Sequence, residues 1–433
     1  MAPHLHHIET LVLHAGSHRR DPSTNSVAVP IHQTTSYEFD NTDHAGKLFA
    51  LQELGNIYTR IMNPTTQVLE ERLAALEGGA AAVCVSSGSS AVALAIQNVA
   101  AAGDNIIASP HLYGGTYNLF TNTFPKMGIE VRFADTTDPE SFVRLSDERT
   151  RAFFGETLPN PKLVPFPIAE IAELGIQRGI PLIVDNTAAP LTCQPFKHGA
   201  AIILHSLTKF IGGHGTSIGG VIIDGGTFDW VKHPAQQPHF NEPDNSYHGA
   251  IWGELVPEAI GAPIAYAIRA RVVLLRDLGA ALSPTNAFHL IQGLETLPLR
   301  FREHQRNAAK LSDYLTQHKK VSSVIYPRLF AGTEKSLADK YLTNGDGALV
   351  GIEMKGGADA GRKFIDHLKL IYHVANIGDA RTLAIHPAST THSQLSSEKQ
   401  LSAGVTPGYV RLSVGIEHIE DIIADIEQAM ASL

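Results

Sequence analysis

Cysteine is scarce: Cys84 and Cys193 are the only two in 433 residues, and they lie far apart. That gives no support to a disulfide framework and fits a reducing compartment. Cys84, inside an apolar run, reads as a small core residue. Basic charge is short as well. Lys and Arg number 34 against 43 Asp and Glu, a net charge of −9, so there is no electrostatic footprint for nucleic acid. The longest apolar run, near 91–102, is interrupted by Gln97 and Asn98, which excludes a membrane span. Met1-Ala2-Pro3-His4 has no apolar signal core. Metal-ligand spacing is missing too: the 22 histidines are scattered, no HExxH occurs, and His4, His6 and His7 read as a frayed tail. No metal is expected. Neither GxxxxGK(S/T) nor GxGxxG is present, which excludes the nucleotide loops those patterns encode. Repeats and low-complexity segments are absent. What is there is 43% hydrophobic and 18% charged, as in globular proteins with a large core. The length suggests two or three domains of a soluble, cytoplasmic protein.

Residues 1–62 show little periodicity and carry Pro22 and Pro30, which predicts an extended arm that needs another surface to lie on. Asn63-Pro64 then predicts a helix start, an Asn cap with Pro at the first position. Val68, Leu69, Leu73 and Leu76 give that helix a face, and Gly78-Gly79 stop it. Strand and helix alternate from there. Strands are predicted at 81–86, 105–109, 129–134, 150–156, 181–185, 201–207 and 220–223. Helices are predicted at 88–101, around Leu119, and at 167–178. The class is α/β, with a mostly parallel sheet covered on both faces in a large domain over 63–284. Residues 227–262 form an irregular, aromatic, proline-rich insertion, and long loops in compact domains tend to be functional. A helical stretch follows over 265–282, then a helical connection over 288–318 with a bend near Pro298. Residues 285–433 read as a smaller α+β domain, with strands at 321–326, 348–354, 371–374 and 409–414 and helices at 360–368 and 418–432.

The chemistry centres on 205–220, where an apolar run leads into one lysine, Lys209, among hydroxyls and glycines. Burial disfavours an ammonium and makes such an amine nucleophilic, suited to a Schiff base. Taken alone, the stretch reads equally as a flexible glycine loop. Ligands in parallel sheets bind at the carboxyl ends of strands. That rule selects Ser87-Gly88-Ser89, Tyr113, Glu156, Asn160, Asp185 and Ser206 to Lys209. Ser86 to Ser90 opens a helix, whose N–H groups bind anions. Tyr113 offers a face to stack on a flat ring. Asp185 ends a buried strand and needs a partner, either a cap or a protonated heterocyclic nitrogen. Ser206 and Thr208 offer hydroxyls for a phosphate. Each has a bland reading as turn, cap or packed aromatic. Together they meet the demands of pyridoxal 5′-phosphate.

At Ser206-Leu207-Thr208-Lys209-Phe210-Ile211-Gly212-Gly213-His214 the chain resembles the Cys/Met-metabolism group of fold-type I PLP enzymes. Tyr58-Thr59-Arg60, Ser87-Gly88, Tyr113-Gly114-Gly115-Thr116, Asp185-Asn186-Thr187 and Arg411 fall in that family's order, so the resemblance covers nearly the whole chain. It implies that Lys209 carries the cofactor, Asp185 pairs with its ring nitrogen and Tyr113 covers the ring. It implies that Ser87, Gly88, Ser89, Ser206 and Thr208 hold the phosphate, with Thr187 and Asn160 also at the cofactor. Tyr58 and Arg60 would reach the neighbouring subunit's cofactor, and two such dimers would form a homotetramer. Arg411 would bind the substrate α-carboxylate, with Asn160, Tyr58 and Ser389 also at the substrate. His214 comes along with the motif and has no physical role of its own.

Three features resemble the O-acetylhomoserine sulfhydrylase branch. They are the 227–262 insertion, the run from Asn376 to Leu383 followed by His386 to His392, and Gly115, where methionine γ-lyases carry cysteine. The implied reaction is γ-replacement on O-acetyl-L-homoserine by sulfide or methanethiol. Cystathionine synthesis, O-succinylhomoserine sulfhydrylation, methionine γ-elimination and a non-catalytic regulator on the same fold stay open.

Overall fold

The computed structural model describes every residue except 1–6, 392, 394, 395 and 403. His4, His6 and His392 therefore lie outside the described residues.

Seven strands form the first sheet: β1 (Ala81–Val85), β2 (Asn105–Ala108), β3 (Glu130–Phe133), β4 (Thr150–Glu156), β5 (Leu182–Asp185), β6 (Ile202–Ser206) and β7 (Gly220–Asp224). Their order is β1-β7-β6-β5-β4-β2-β3. β3, β2, β4, β5 and β6 run parallel, whereas β7 is antiparallel to both β6 and β1. The reversal follows from the connection. A parallel return needs a crossover, usually a helix, and residues 207–219 supply a glycine-rich turn instead. That turn carries Lys209.

Helices cover both faces. Asn63 caps the helix Pro64–Glu77, its side chain accepting from Thr65 N–H at 3.0 Å, and Gly78 ends it in the left-handed region at φ 77°. With Ile168–Ile176 and Pro284–Glu295 it builds the core on one face. Gly88–Gln97 and the helical residues 265–278 build the other. The predicted helix at 88–101 stops at Gln97 because Arg269 Nη1 takes the Asn98 carbonyl at 3.0 Å and its side-chain oxygen at 2.8 Å. The connection after 284 is two helices, Pro284–Glu295 and Leu297–Thr316, meeting at Thr296. Pro298 sits in the first turn of the second, where a missing N–H costs nothing.

The second sheet contains β8 (Val321–Ile325), β9 (Leu349–Met354), β10 (Tyr372–His373), β11 (Leu383–Ile385) and β12 (Tyr409–Ser413), in the order β10-β11-β12-β9-β8. β11 is absent from the expected strands: three residues between two polar loops carry too little alternation to be read as one. Helices Leu297–Thr316, Gly357–His367 and Ile419–Ala431 pack on this sheet.

The stretch 1–62 is more regular than predicted. Ile8–His14 is a helix that buries Val12 against Pro64–Glu77. Thr42–Phe49 is a helix capped by Asn41, which accepts from His44 N–H at 2.9 Å. Both are short, and the first is held by the body it docks on. The insertion also holds a helix, Trp252–Ile260, over a buried cluster of Trp230, Phe240, Trp252 and Tyr266. Its Gln237 reaches the amino ends of β4 and β5. Gln237 Nε2 donates to Arg151 O at 3.0 Å and Gly179 O at 2.9 Å, at the starts of β4 and β5. It therefore lies at the edge opposite the strand ends that the ligand rule selects. Among the described residues no helix is long and apolar enough to cross a membrane.

Candidate active site

β4, β5 and β6 end at Glu156, Asp185 and Ser206, and at those ends lies a cavity of about 220 Å³. Ser87, Gly88, Ser89, Tyr113, Asn160, Asp185, Thr187, Ser206, Thr208, Lys209 and Arg411 all line it. Residues spread over most of the chain thus meet in one space.

The first wall is the amino end of Gly88–Gln97. Ser87 caps it, accepting from Ser90 N–H at 3.0 Å. A Cβ on Gly88 would lie 2.6 Å from Ser206 Cβ, so only glycine lets the helix end approach β6 this closely. A helix N-terminus beside the Ser206 and Thr208 hydroxyls makes a cradle for a phosphate.

Asp185 Oδ1 accepts from Thr187 N–H at 2.9 Å, and the Thr187 hydroxyl accepts from Ser206 N–H at 2.7 Å. Burial raises the Asp185 acid above its ordinary value, against the Thr187 hydrogen bonds and the His205 charge. A protonated ring nitrogen beside it would reverse that direction. His205 faces away from the cavity. Its Nε2 lies 2.6 Å from Glu77 Oε1, and Asn186 Nδ2 donates to the same oxygen at 3.2 Å. This buried pair props the strand ends from behind.

Lys209 sits in the turn after β6, with its carbonyl accepting from Gly213 N–H at 2.8 Å. Burial, and then the Arg411 charge, push its ammonium down to about 8. Its Nζ donates to Asn376 Oδ1. Arg411 comes from β12 of the second sheet and is 7% exposed. Its Nη2 donates to Asn376 O at 3.0 Å, while its buried Nε has no partner. Among the described residues no carboxylate pairs with it. A buried guanidinium without a counter-ion is suited to an incoming carboxylate. Asn160 Oδ1 is likewise buried and without a partner.

Tyr113 is 55% exposed at the cavity edge, and a Cβ on Gly115 would lie 2.4 Å from its Cε1. Its ring therefore lies across a residue that must have no side chain. The poised amine, the carboxylate, the phosphate cradle and the unpartnered Arg411 Nε and Asn160 Oδ1 together fit pyridoxal phosphate and an amino-acid substrate.

Three expected site residues are outside this lining. Tyr58 and Arg60 are on the exposed arm, with the Arg60 guanidinium 5.2 Å above the Tyr58 ring. The Ser389 hydroxyl lies 2.8 Å from His386 Nδ1. Among the lining residues that sequence reasoning missed, Asn376 is the one that touches Lys209. It lies in the quoted 376–383 run, but nothing local says that it faces a lysine 167 positions away. His214 now has a contact: its main-chain carbonyl accepts from Arg381 Nη2 at 3.1 Å, and its ring is exposed.

The family pattern described as Cys/Met metabolism PLP-dependent enzyme matches residues 9–431. The chain is 54% identical over 431 residues to an O-acetyl-L-homoserine sulfhydrylase of Leptospira meyeri, covering 98% of this chain and 97% of that one. It is 50% identical over 426 residues to a homocysteine synthase of Schizosaccharomyces pombe, covering 98% of each. Among solved structures it superposes with a TM-score of 0.93 on a Campylobacter jejuni protein described as an O-acetylhomoserine (thiol)-lyase, which carries an N′-pyridoxyl-lysine-5′-monophosphate. That match is 42% identical and covers 98% of this chain and 99% of the other. A cystathionine γ-lyase of Lactobacillus plantarum matches at TM-score 0.82 and 29% identity, covering 99% of each. Full-length similarity, the mostly parallel sheet and the lysine-bearing cavity lead to one conclusion: the chain belongs to the Cys/Met metabolism family of PLP-dependent enzymes.

Proposed function

We propose that this enzyme catalyses γ-replacement on O-acetyl-L-homoserine, in which sulfide takes the place of acetate and L-homocysteine is formed. The observation that carries the reading is the meeting of Lys209, Asp185 and the Arg411 guanidinium, which has no carboxylate partner among the described residues, in one cavity. Full-length similarity to O-acetyl-L-homoserine sulfhydrylases selects the substrate.

Pyridoxal phosphate bound in the cavity supplies an electron sink for charge developing on the substrate carbons. Gly88, Ser89, Ser206 and Thr208, with the capped turn at Ser87, would hold its phosphate. Asp185, oriented by Thr187, would keep its ring nitrogen protonated, and Tyr113 would cover the ring. Arg411 grips the substrate α-carboxylate, with Asn160 beside it, which holds Cα–H toward Lys209. The Lys209 amine would remove the Cα proton and shuttle a proton at Cβ. At Cγ the C–O bond breaks and acetate leaves with the electron pair. Hydrosulfide brings the pair that forms the C–S bond, so there is no net redox change.

Tyr58 and Arg60 act on a neighbouring subunit's site, and Ser389 lies on the substrate side. The exposed arm, with Val27 at 81%, Phe49 at 62% and Leu54 at 70% exposure, supports burial against another subunit in a homotetramer built as a dimer of dimers. The chain divides into the arm, the cofactor domain over 63–284 and the small domain over 285–433. It works in the cytoplasm, and methanethiol is a second candidate nucleophile.

The test is a substrate panel. O-Acetyl-L-homoserine, O-succinyl-L-homoserine, cystathionine and methionine are each offered with and without sulfide. Homocysteine and acetate should form only when the acetyl ester and sulfide are both present. Ammonia released from cystathionine or methionine without sulfide would move the reading to γ-elimination.

A further inference from the structure

The proposed chemistry leaves one buried carboxyl at the cavity wall without a task. Glu156 ends β4 in register with Asp185 at the end of β5. It is 8% exposed and lines the cavity. Its Oε1 accepts from Tyr113 N–H at 2.6 Å. Burial, and then the neighbouring Asp185, push the Glu156 acid well above its ordinary value, and only the Tyr113 N–H opposes them. What Glu156 offers Tyr113 is an acceptor oxygen.

The Tyr113 backbone is held from two sides, its N–H by Glu156 and its carbonyl by Tyr117 N–H at 2.9 Å. The Tyr113 side chain is 55% exposed and lies across Gly115, so packing around the ring constrains it little. A hydrogen bond pins the backbone at its root, and the missing Cβ at Gly115 leaves room for the ring.

We propose that Glu156 is a positioning residue: as a hydrogen-bond acceptor it fixes the Tyr113 backbone so that the ring stands at the cavity. The inference rests on the reading of Tyr113 as the cover of the cofactor ring.

The test uses the holoenzyme and the variants Glu156→Leu, Glu156→Gln, Glu156→Asp and Tyr113→Ala, with the double variants. kcat and KM are measured separately, together with the visible circular dichroism of the bound cofactor. Glu156→Leu should lower kcat/KM about tenfold, the effect of losing one hydrogen bond at a buried site, and should change the dichroism. Glu156→Gln, which keeps an acceptor at the same reach, should recover to within about threefold of the parent. Glu156→Asp, which keeps the acid but withdraws the oxygen, should behave like Glu156→Leu, and it carries the test if the leucine variant does not accumulate as holoenzyme. On a Tyr113→Ala background, Glu156→Leu should cost less than about twofold, because both changes act through one group. Multiplying losses would overturn the inference, as would a Glu156→Asp variant that works while Glu156→Gln fails. A Tyr113→Ala variant with unchanged kcat/KM would instead sink the reading of Tyr113 itself.

Discussion

The amine of Lys209 offers the sharpest measurement. Burial first and Arg411 second hold its ammonium at about 8, against an ordinary value of 10.5. At pH 7 about 9% of the amine is then neutral instead of about 0.03%, a gain of roughly 300-fold in the form that attacks an aldehyde. Apoprotein mixed with pyridoxal phosphate should capture it covalently at a rate that rises about tenfold per pH unit below 8 and levels off above it. Stopped-flow absorbance follows the capture, and borohydride followed by peptide mass analysis places it on Lys209. Arg411→Met removes the second cause but not the first, so the inflection should move upward. In Lys209→Ala, capture and turnover should vanish while some cofactor stays bound non-covalently. The same depression makes the apoprotein gain stability as pH rises from about 8 toward 10.5, because the unfolded chain binds the extra proton over that window. An inflection near the ordinary lysine value, or one that stays put in Arg411→Met, would refute this account of the site.

Three further perturbations probe its surroundings. Gly88→Ala puts a methyl 2.6 Å from Ser206 Cβ, a position with no flexible end to yield. Cofactor affinity should fall by about tenfold or more, and unchanged equilibrium binding would refute the phosphate cradle. Glu77→Leu leaves His205 and Asn186 buried without their shared acceptor. A loss of about 3 kcal/mol is expected, read as a lower denaturation midpoint at fixed cofactor saturation; an equal midpoint contradicts the role given to this pair. Arg60→Ala should weaken cofactor retention, measured by dialysis of the assembled protein. Full retention argues against a cross-subunit contact.

The legible parts of the molecule were those whose signals sit in adjacent residues. Asn63, Pro64 and Gly78 mark their helix because a cap, a fixed φ and a left-handed stop are local chemistry. The inner strands of the first sheet, such as β2, β5 and β6, show as short apolar runs because they are buried on both faces. The strand-end rule then selected Ser87, Tyr113, Asn160, Asp185 and Lys209 together, and all of them line the cavity. The arm helix Ile8–His14 did not show, since seven residues hold their shape by docking Val12 on the body. The insertion did not reveal that it reaches the amino ends of β4 and β5, because Gln237 finds its partners 86 and 58 positions away.

By itself, then, the sequence determined the alternation of strands and helices and the nature of the cofactor, and it singled out Lys209, which lines the cavity. Hydrophobic period, caps and a dense motif are properties of neighbouring residues. Only the tertiary structure decided how β7 runs, that Asn376 holds the lysine, that Arg411 arrives from the second sheet with no carboxylate beside it among the described residues, and that Glu156 pins the ring tyrosine. Those are contacts between residues far apart in the chain. They exist only once two sheets have packed and excluded water, which is also what moves the lysine and the two carboxyls from their ordinary values.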